Sequence, residues 1–423
     1  MPDAVSGALA NCPVGGSRAR GRTRAASFGL DASILVALLA ASSAPTPLYP
    51  LYQDRWGLSA LAVTVVFSAY SLALLSALLT TGALSDRLGR RPVLASALGA
   101  QAVAMVLLAS ADGAGSLTAA RLLQGAATGV ATSAAGAALL DLENPRHPGR
   151  SALTNTTAPV VGMAAGVLLS TLLARFAPAP TVSVYALMAA LFAAQAIAVP
   201  FTTETVNRRS GALRSLRPQL GVPPAVRSTL LTTGTAIVAI WALGGFYSSL
   251  GPALVRLVAP HAPQAALGMV FFALSAAAAL TVWVLRRTDP LTTAIGGCLS
   301  VLPAAVLTLS GLHGLGLPAV YGGAALAGVA FGAVSQGVLR MLLASLDERY
   351  RAATLAAYYV LSYLSMSLPA IAAGAATQYY GLRTTSHAYA VIAALLAAAA
   401  LTALAVSRTR TRPDSRTRNR PLR

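Results

Sequence analysis

Long apolar blocks alternate with short polar connections along almost all of this 423-residue chain. An α-helix rises 1.5 Å per residue, so about 20 apolar residues cross the hydrocarbon core of a bilayer. The blocks are near that length and continuous, whereas membrane barrel strands alternate over about ten residues. The pattern predicts twelve membrane-spanning helices, at about residues 28–50, 60–82, 92–111, 116–140, 151–174, 181–201, 228–251, 265–285, 291–311, 317–343, 353–378 and 386–407.

The longest internal polar segment divides the predicted spans into two groups of six. This segment contains three prolines and five arginines. Two weak echoes favour duplicated halves: Gln124-Gly125 recurs as Gln336-Gly337, and Pro159 in span 5 recurs as Pro369 in span 11. The predicted organisation is a basic tail at 1–27, a six-helix bundle at 28–201, a linker at 202–227, a second bundle at 228–407 and a basic tail at 408–423.

Composition and charge support a membrane protein. Hydrophobic residues make up 56% of the chain and charged residues 10%, too few to cover a soluble surface. The net charge of +19 comes from arginine alone, because lysine is absent. Twenty-five arginines fall in the tails and even-numbered connections, and four fall in the odd-numbered ones. The asymmetry predicts that both termini are cytoplasmic, in an inner or plasma membrane.

The same distribution argues against nucleic acid as a partner, since the arginines lie in separate loops and tails. We expect the two tails to be disordered and to contact anionic lipid headgroups. The two cysteines and four histidines show no spacing typical of metal ligands, so no metal or cofactor is expected.

The connection between spans 2 and 3 carries the most specific motif, Gly82-Ala-Leu-Ser-Asp86-Arg87-Leu-Gly89-Arg90-Arg91-Pro92. The glycines permit a tight turn and close helix approach, and Asp86 can pair with Arg90. The segment resembles the signature loop of the major facilitator superfamily, G-x-L-x-D-R-x-G-R-R, at every defining position. The resemblance implies an all-α fold of twelve spans in two pseudo-symmetric bundles, which work by alternating access. The charges of the loop suit a cytoplasmic latch, because Asp86 can favour a helix N-terminus of the opposing half. The resemblance implies that Asp141 is a third member of this latch, which engages a loop arginine.

Two further motifs resemble the same family. Arg121, Gln124 and Gly125 in span 4 match R-x-x-Q-G, which implies a role in coupling or substrate binding, although Arg121 is close enough to the span end to snorkel to the interface. Span 5 resembles the antiporter motif G-P-x-x-G, with Ala158 replacing its first glycine, which favours export. The residues of that motif are Pro159, Gly162 and Gly166.

Other features leave two interpretations open. Pro47-Leu-Tyr-Pro50, after span 1, resembles a P-x-x-P motif of drug exporters or simply terminates the helix. Asp31 is the one acid inside a predicted span, where it either couples transport to protons or pairs with the arginine tail. In the second half, the counterpart of the signature loop has decayed to Arg286-Arg287-Thr-Asp289-Pro290.

The leading hypothesis is a proton-coupled exporter of a small amphipathic molecule that acts as a monomer in the lipid bilayer. An uptake symporter or facilitator of the same fold is the alternative, and a membrane-embedded enzyme or sensor is a remote one. The cavity should be poor in charge, which predicts an apolar or mildly polar substrate. Its candidate lining residues are Trp241, Tyr247, Gln336, Tyr358, Tyr359 and Tyr363.

Overall fold

The computed structural model describes residues 15–206, 224–344 and 348–411. Within these ranges the regular structure is helical, and we number the spans in chain order. They are span 1 Gly15–Ser43, span 2 Ala60–Thr81, span 3 Arg90–Ala109, span 4 Ala114–Asp141, span 5 Arg150–Phe176, span 6 Pro180–Ala198, span 7 Pro224–Ser249, span 8 Gln264–Val284, span 9 Pro290–Ser310, span 10 Gly316–Leu343, and spans 11 and 12, which together form Glu348–Thr411.

Nine segments of the described chain are long and apolar enough to cross a membrane. Two of them have 54 residues, or about 80 Å of helix, and so each contains two crossings. Spans 9 and 10 are separated by the π-helical turn Gly311–Leu315, and spans 11 and 12 by Gly381 at φ 76°. Span 4 completes the set of twelve, since glycine, serine, threonine and Gln124 lower its mean hydropathy.

The chain ends depart from the predicted tails. The helix of span 1 begins at Gly15, so the prediction of a disordered tail is wrong for residues 15–26, and residues 1–14 lie outside the described ranges. At the other end the helix continues to Thr411, so residues 408–411 are helical as well. Arginine and alanine are good helix formers and no proline interrupts either stretch, so each helix continues past its apolar block.

Prolines end span 1 and redirect the chain. The span stops at Ser43, and a 3-10 turn at Thr46–Leu48 and a short helix at Tyr49–Trp56 follow. A similar short helix, Gly251–Val258, follows span 7. The two halves therefore repeat the same arrangement of a long span and a short helix at corresponding places.

Close helix contacts also repeat between the halves. In each half, two glycines four residues apart face backbone carbonyls of a neighbouring span: Gly125 and Gly129 face Tyr70 and Leu74, and Gly328 and Gly332 face Leu274 and Ala278. A Cβ at any of these glycines would lie 2.6 Å or less from a carbonyl oxygen. Small residues allow helices to pack this closely in membranes. These equivalent glycines are separated by 203 positions, whereas the Gln-Gly dipeptides recur at a different offset.

The halves meet mainly through spans 5 and 8 and through spans 2 and 11. The Ser68 hydroxyl donates to the Ser367 carbonyl at 3.3 Å across the second of these contacts. Near the end of span 11, Gly374 packs against Thr64. We call the end of the molecule that carries residues 82–92 the basic face, and the end that carries the short helices the opposite face.

Candidate functional site

Arg90 is the centre of a charged cluster on the basic face. Its guanidinium pairs with Asp86 and, at 3.1 Å, with Asp141, and it donates to the Ser85 hydroxyl at 2.6 Å. Arg90 is 8% exposed, so these acceptors satisfy a largely buried cation. The cluster ties the signature loop to the end of span 4, which is the contact that the family resemblance assigns to Asp141.

The loop glycines lie where side chains would not fit. Gly89 has φ 97°, and a Cβ there would lie 2.9 Å from the Glu204 carboxylate. A Cβ at Gly82 would lie 2.9 Å from the Leu78 carbonyl, and the Gly82 carbonyl accepts a hydrogen bond from Ser133. Arg87 lies half-buried on the same short turn.

Glu204 and Thr205, which the sequence analysis left as ordinary linker residues, belong to this cluster. The Glu204 carboxylate accepts the backbone N–H groups of Arg90 at 2.9 Å and Arg91 at 3.1 Å, and so caps the N-terminus of span 3. The Thr205 hydroxyl donates to Asp141 at 2.7 Å. No spacing in the sequence signals these contacts, because more than 100 residues separate Glu204 from the loop.

Asp86 was also expected to face a helix N-terminus of the opposing half. No described contact joins Asp86 to such a terminus, and residues 345–347, just before span 11, lie outside the described ranges. The described partners of Arg90 and Asp141 belong to the first half and to the start of the linker. In the second half, Asp289 instead caps span 9, and hydrogen bonds from Thr292 hold the pKa of this carboxyl below its usual value.

Arg121 lies deep in the first bundle. It is about 10 Å along span 4 from Ala114, and its exposed fraction is 0%, so it does not snorkel to the interface. Its Nη1 donates to Gln124 Oε1 at 2.6 Å and to the Ser42 carbonyl at 3.3 Å. Gln124 in turn donates to the Ala41 carbonyl at 2.9 Å. The span 4 motif therefore binds the end of span 1.

Tyrosines surround the guanidinium of Arg121. Its carbon Cζ lies 4.3 Å from the ring centroid of Tyr70, a cation–π contact, and the Tyr49 hydroxyl lies beside it. Nε and Nη2 of Arg121 and the hydroxyls of Tyr49 and Tyr70 are all buried, and none of them makes a well-formed hydrogen bond with a described group. The Tyr70 hydroxyl lies beside Ser42 and Thr128.

The span 5 motif forms a close contact with span 1. A Cβ at Gly162 would lie 2.4 Å from the Val36 carbonyl oxygen, and one at Gly166 would lie 2.0 Å from the Ala40 carbonyl oxygen. Pro159 lies within the helix of span 5, one turn earlier. The motif therefore fixes the approach of spans 1 and 5, with Ala158 buried beside it.

Asp31 is 4% exposed, and within the described part of the chain it is the one buried acid. No described group hydrogen-bonds or ion-pairs with its carboxylate. Ala41, which contacts the Arg121 motif, lies ten residues further along span 1, or about 15 Å. Asp31 and Arg121 are therefore separate sites on the same pair of spans.

Four of the six predicted cavity residues lie together. Trp241 contacts Phe331 and Tyr363, and Tyr359 contacts Tyr358 and Tyr363, with ring centroids 5.1–6.1 Å apart. The other two do not join this aromatic cluster. Tyr247 hydrogen-bonds Thr308 inside the second bundle, and Gln336 donates to the Val282 carbonyl.

On the opposite face an ion pair joins the two halves. Asp54, on the short helix after span 1, accepts two hydrogen bonds from Arg256, on the short helix after span 7, at 2.7 and 3.0 Å. Beneath it, Gln264 donates to the Pro47 carbonyl at 3.0 Å. These contacts join the two halves on the opposite face.

The rest of the described chain offers an apolar groove and no metal site. A groove of about 440 Å³ lies between spans 3 and 6 and is lined only by alanine, valine and leucine. Within the described residues, no three His, Cys, Asp or Glu side chains lie close enough together to hold a metal ion.

The comparisons with known proteins agree with this architecture. A family model of the Major Facilitator Superfamily matches residues 32–368. No curated protein sequence matches the chain. A bacterial homolog of the human lysosomal transporter Spinster, solved in an inward-facing conformation, is 13% identical with a TM-score of 0.74, over 93% of this chain and 99% of that one.

Two other solved structures share the fold. The human organic anion transporter MFSD10 is 19% identical with a TM-score of 0.65, over 90% of this chain and 99% of that one. The nucleoside transporter NupG is 12% identical with a TM-score of 0.66, over 90% of this chain and 98% of that one. The twelve spans in two bundles define a multi-pass membrane transporter. The chain belongs to the Major Facilitator Superfamily.

Proposed function

We propose that this protein is a secondary active transporter that exports a small amphipathic molecule in exchange for protons. The observation that carries the proton coupling is Asp31, a buried carboxyl without a described partner inside a span. Embedded acids of this kind form the proton relays of many transporters. The fold does not choose the substrate, since a nucleoside transporter and an organic anion transporter share it.

Alternating access requires two conformations with different closures. The opposite face is held closed by Asp54 and Arg256, one from each half. On the basic face, the described partners of Arg90 belong to the first half and the linker. A contact between the halves such as that of Asp54 and Arg256 supports a transporter that opens and closes its opposite face.

We further propose that the basic face is cytoplasmic, in the inner or plasma membrane, and that the protein acts as a monomer. The asymmetry of the arginines supports this orientation. Single cysteines replacing Asp112 and Asn144, each in a Cys12→Ser, Cys298→Ala background, test it. An impermeant thiol reagent added to intact cells should label the thiol at 112 and spare the one at 144. The reverse pattern would contradict the orientation.

Proteoliposomes that contain a pH-sensitive dye test the coupling. Substrate added on one side should move protons in the wild type, and Asp31→Asn should abolish that movement while substrate binding remains. Asp112→Asn, which removes an exposed acid between spans 3 and 4, is the matched control and should behave as the wild type.

Three results would revise the proposal. Proton movement that persists in Asp31→Asn would remove this residue as the coupling acid. Protons that move in the same direction as the substrate would identify an uptake symporter. Substrate flux without proton movement would identify a facilitator or a carrier coupled to another ion.

A further inference from the structure

Arg121 is a fully buried cation with unused hydrogen-bonding capacity. Its Nη1 has two hydrogens, and the Gln124 side chain and the Ser42 carbonyl accept both. Nε and Nη2, on the other side of the guanidinium, have no described acceptor. These two nitrogens form the planar fork that binds both oxygens of a carboxylate.

No described acid neutralises this charge. Asp31 lies ten residues, or about 15 Å of helix, before Ala41 on span 1, and it is the Ala41 carbonyl that contacts Gln124 beside Arg121. Asp54 pairs with Arg256, and Asp86 and Asp141 pair with Arg90 on the basic face. A buried guanidinium is costly to leave without a counter-charge, so the site favours a group that brings one.

Two tyrosine hydroxyls extend the same site. Tyr49 and Tyr70 adjoin Arg121, and their buried hydroxyls make no well-formed hydrogen bond with a described group, although the Tyr70 hydroxyl lies beside Ser42 and Thr128. A phenol can donate a hydrogen bond to a carboxylate oxygen. The three side chains together offer donors and one positive charge, with no negative charge among them.

An apolar surface adjoins these donors from the other half. Tyr363 lies on span 11, which packs against span 2, the span that carries Tyr70, and Tyr363 contacts Trp241 and Tyr359. The donors and the aromatic cluster therefore lie on either side of the interface between the halves, where alternating access opens a cavity.

We propose that Arg121, Tyr49 and Tyr70 bind a carboxylate group of the transported molecule, whose apolar body lies against the aromatic cluster. This inference rests on the proposed transport function and names its substrate class as amphipathic monocarboxylates. A monoanion is favoured over a dianion because Arg121 is the one fully buried cation in the described chain. The inference replaces the expectation of a substrate without charge.

Binding measurements without any ion gradient test the site separately from proton coupling. The probes are 4-tert-butylbenzoate, its primary amide and 4-tert-butylbenzylamine, which share a shape and differ in charge. The readout is the fluorescence of Trp241 in the purified full-length protein after Trp56→Phe and Trp283→Phe. We expect the carboxylate to bind about tenfold or more tightly than the amide, and the amine not to bind.

Variants assign the preference to the site. Arg121→Gln should abolish the preference, and Arg121→Lys should weaken it by several-fold because the charge remains but the fork is lost. Tyr49→Phe and Tyr70→Phe should each weaken carboxylate binding and leave amide binding unchanged. The matched control is Arg340→Gln, which removes an arginine of span 10 that donates to the Thr288 carbonyl, and it should keep the preference.

Several outcomes would overturn the proposal. They are equal binding of all three probes, no fluorescence change with any probe up to about 1 mM, and a carboxylate preference that survives in Arg121→Gln. Displacement of the carboxylate by chloride at equal concentration would identify an inorganic ion site instead. If Arg121→Gln does not fold, Arg121→Lys and Tyr70→Phe decide. Carboxylate binding without proton movement would retain the site and reject the coupling.

Discussion

At the scale of single residues, Glu204 shows how the linker stabilises the signature loop. The start of a helix leaves backbone N–H groups without partners, and a carboxylate there also interacts favourably with the helix dipole. Glu204 supplies this carboxylate to span 3 from the end of the first bundle. The linker is therefore part of the charged cluster as well as a connection between halves.

Replacing Glu204 by alanine should lower the stability of the protein by about 1 kcal/mol, as for other lost helix caps. Glu204→Gln should cost less, since an amide oxygen still accepts one N–H group. The measurement is the melting temperature of the purified protein. Glu143→Gln, which removes a carboxylate that accepts the Gly149 N–H in a neighbouring connection, serves for comparison. An unchanged melting temperature in Glu204→Ala would show that the cap contributes nothing.

The sequence indicates some site residues and not others, for a physical reason. Asp86, Arg90 and Arg121 belong to local motifs, and a charge inside an apolar block is conspicuous. Glu204 and Tyr49 have no such signal, because their partners lie far away in the chain and meet them only after the helices pack. The predicted cavity residues divide for the same reason, since Tyr247 bonds Thr308 within its own bundle while Tyr363 joins the aromatic cluster on span 11.

At the scale of helices, apolar length predicts the membrane crossings well because the bilayer fixes it. Most predicted ends agree with the structure to within a few residues. Length does not predict where a helix stops outside the bilayer, so the extensions at Gly15 and Thr411 were missed. Hydropathy also does not predict which glycines face a neighbouring backbone, which depends on how the spans pack.

Two glycines provide a matched test of that packing. Gly166→Ala would place a Cβ 2.0 Å from the Ala40 carbonyl oxygen, so spans 1 and 5 would have to separate. Gly296→Ala, inside span 9, meets nothing within 4 Å and should be neutral or stabilising by up to about 1 kcal/mol. Thermal unfolding of both variants compares them directly. Equal melting temperatures would contradict the close contact between spans 1 and 5.

At the scale of the whole molecule, the two faces are held by different kinds of contact. The described cluster on the basic face joins the loop, span 4 and the linker of one half. The pair of Asp54 and Arg256 joins both halves on the opposite face. A contact that exists in only one of two conformations shifts the balance between them by its own free energy.

Breaking this pair should therefore favour the conformation that is open on the opposite face. Both side chains are partly exposed, at 37% for Arg256 and 59% for Asp54, so the pair is worth at most about 1 kcal/mol, or about fivefold in population. The reporter is a thiol at Ser68→Cys, which is buried between the halves, in the Cys12→Ser, Cys298→Ala background. In Arg256→Gln it should react up to about fivefold faster with an impermeant reagent.

Arg55→Gln removes the same charge from the neighbouring surface and should leave the rate of labelling unchanged. Exchanging the charges, as Asp54→Arg with Arg256→Asp, should restore slow labelling. Fast labelling in the exchanged variant would show that the pair does not hold this face closed.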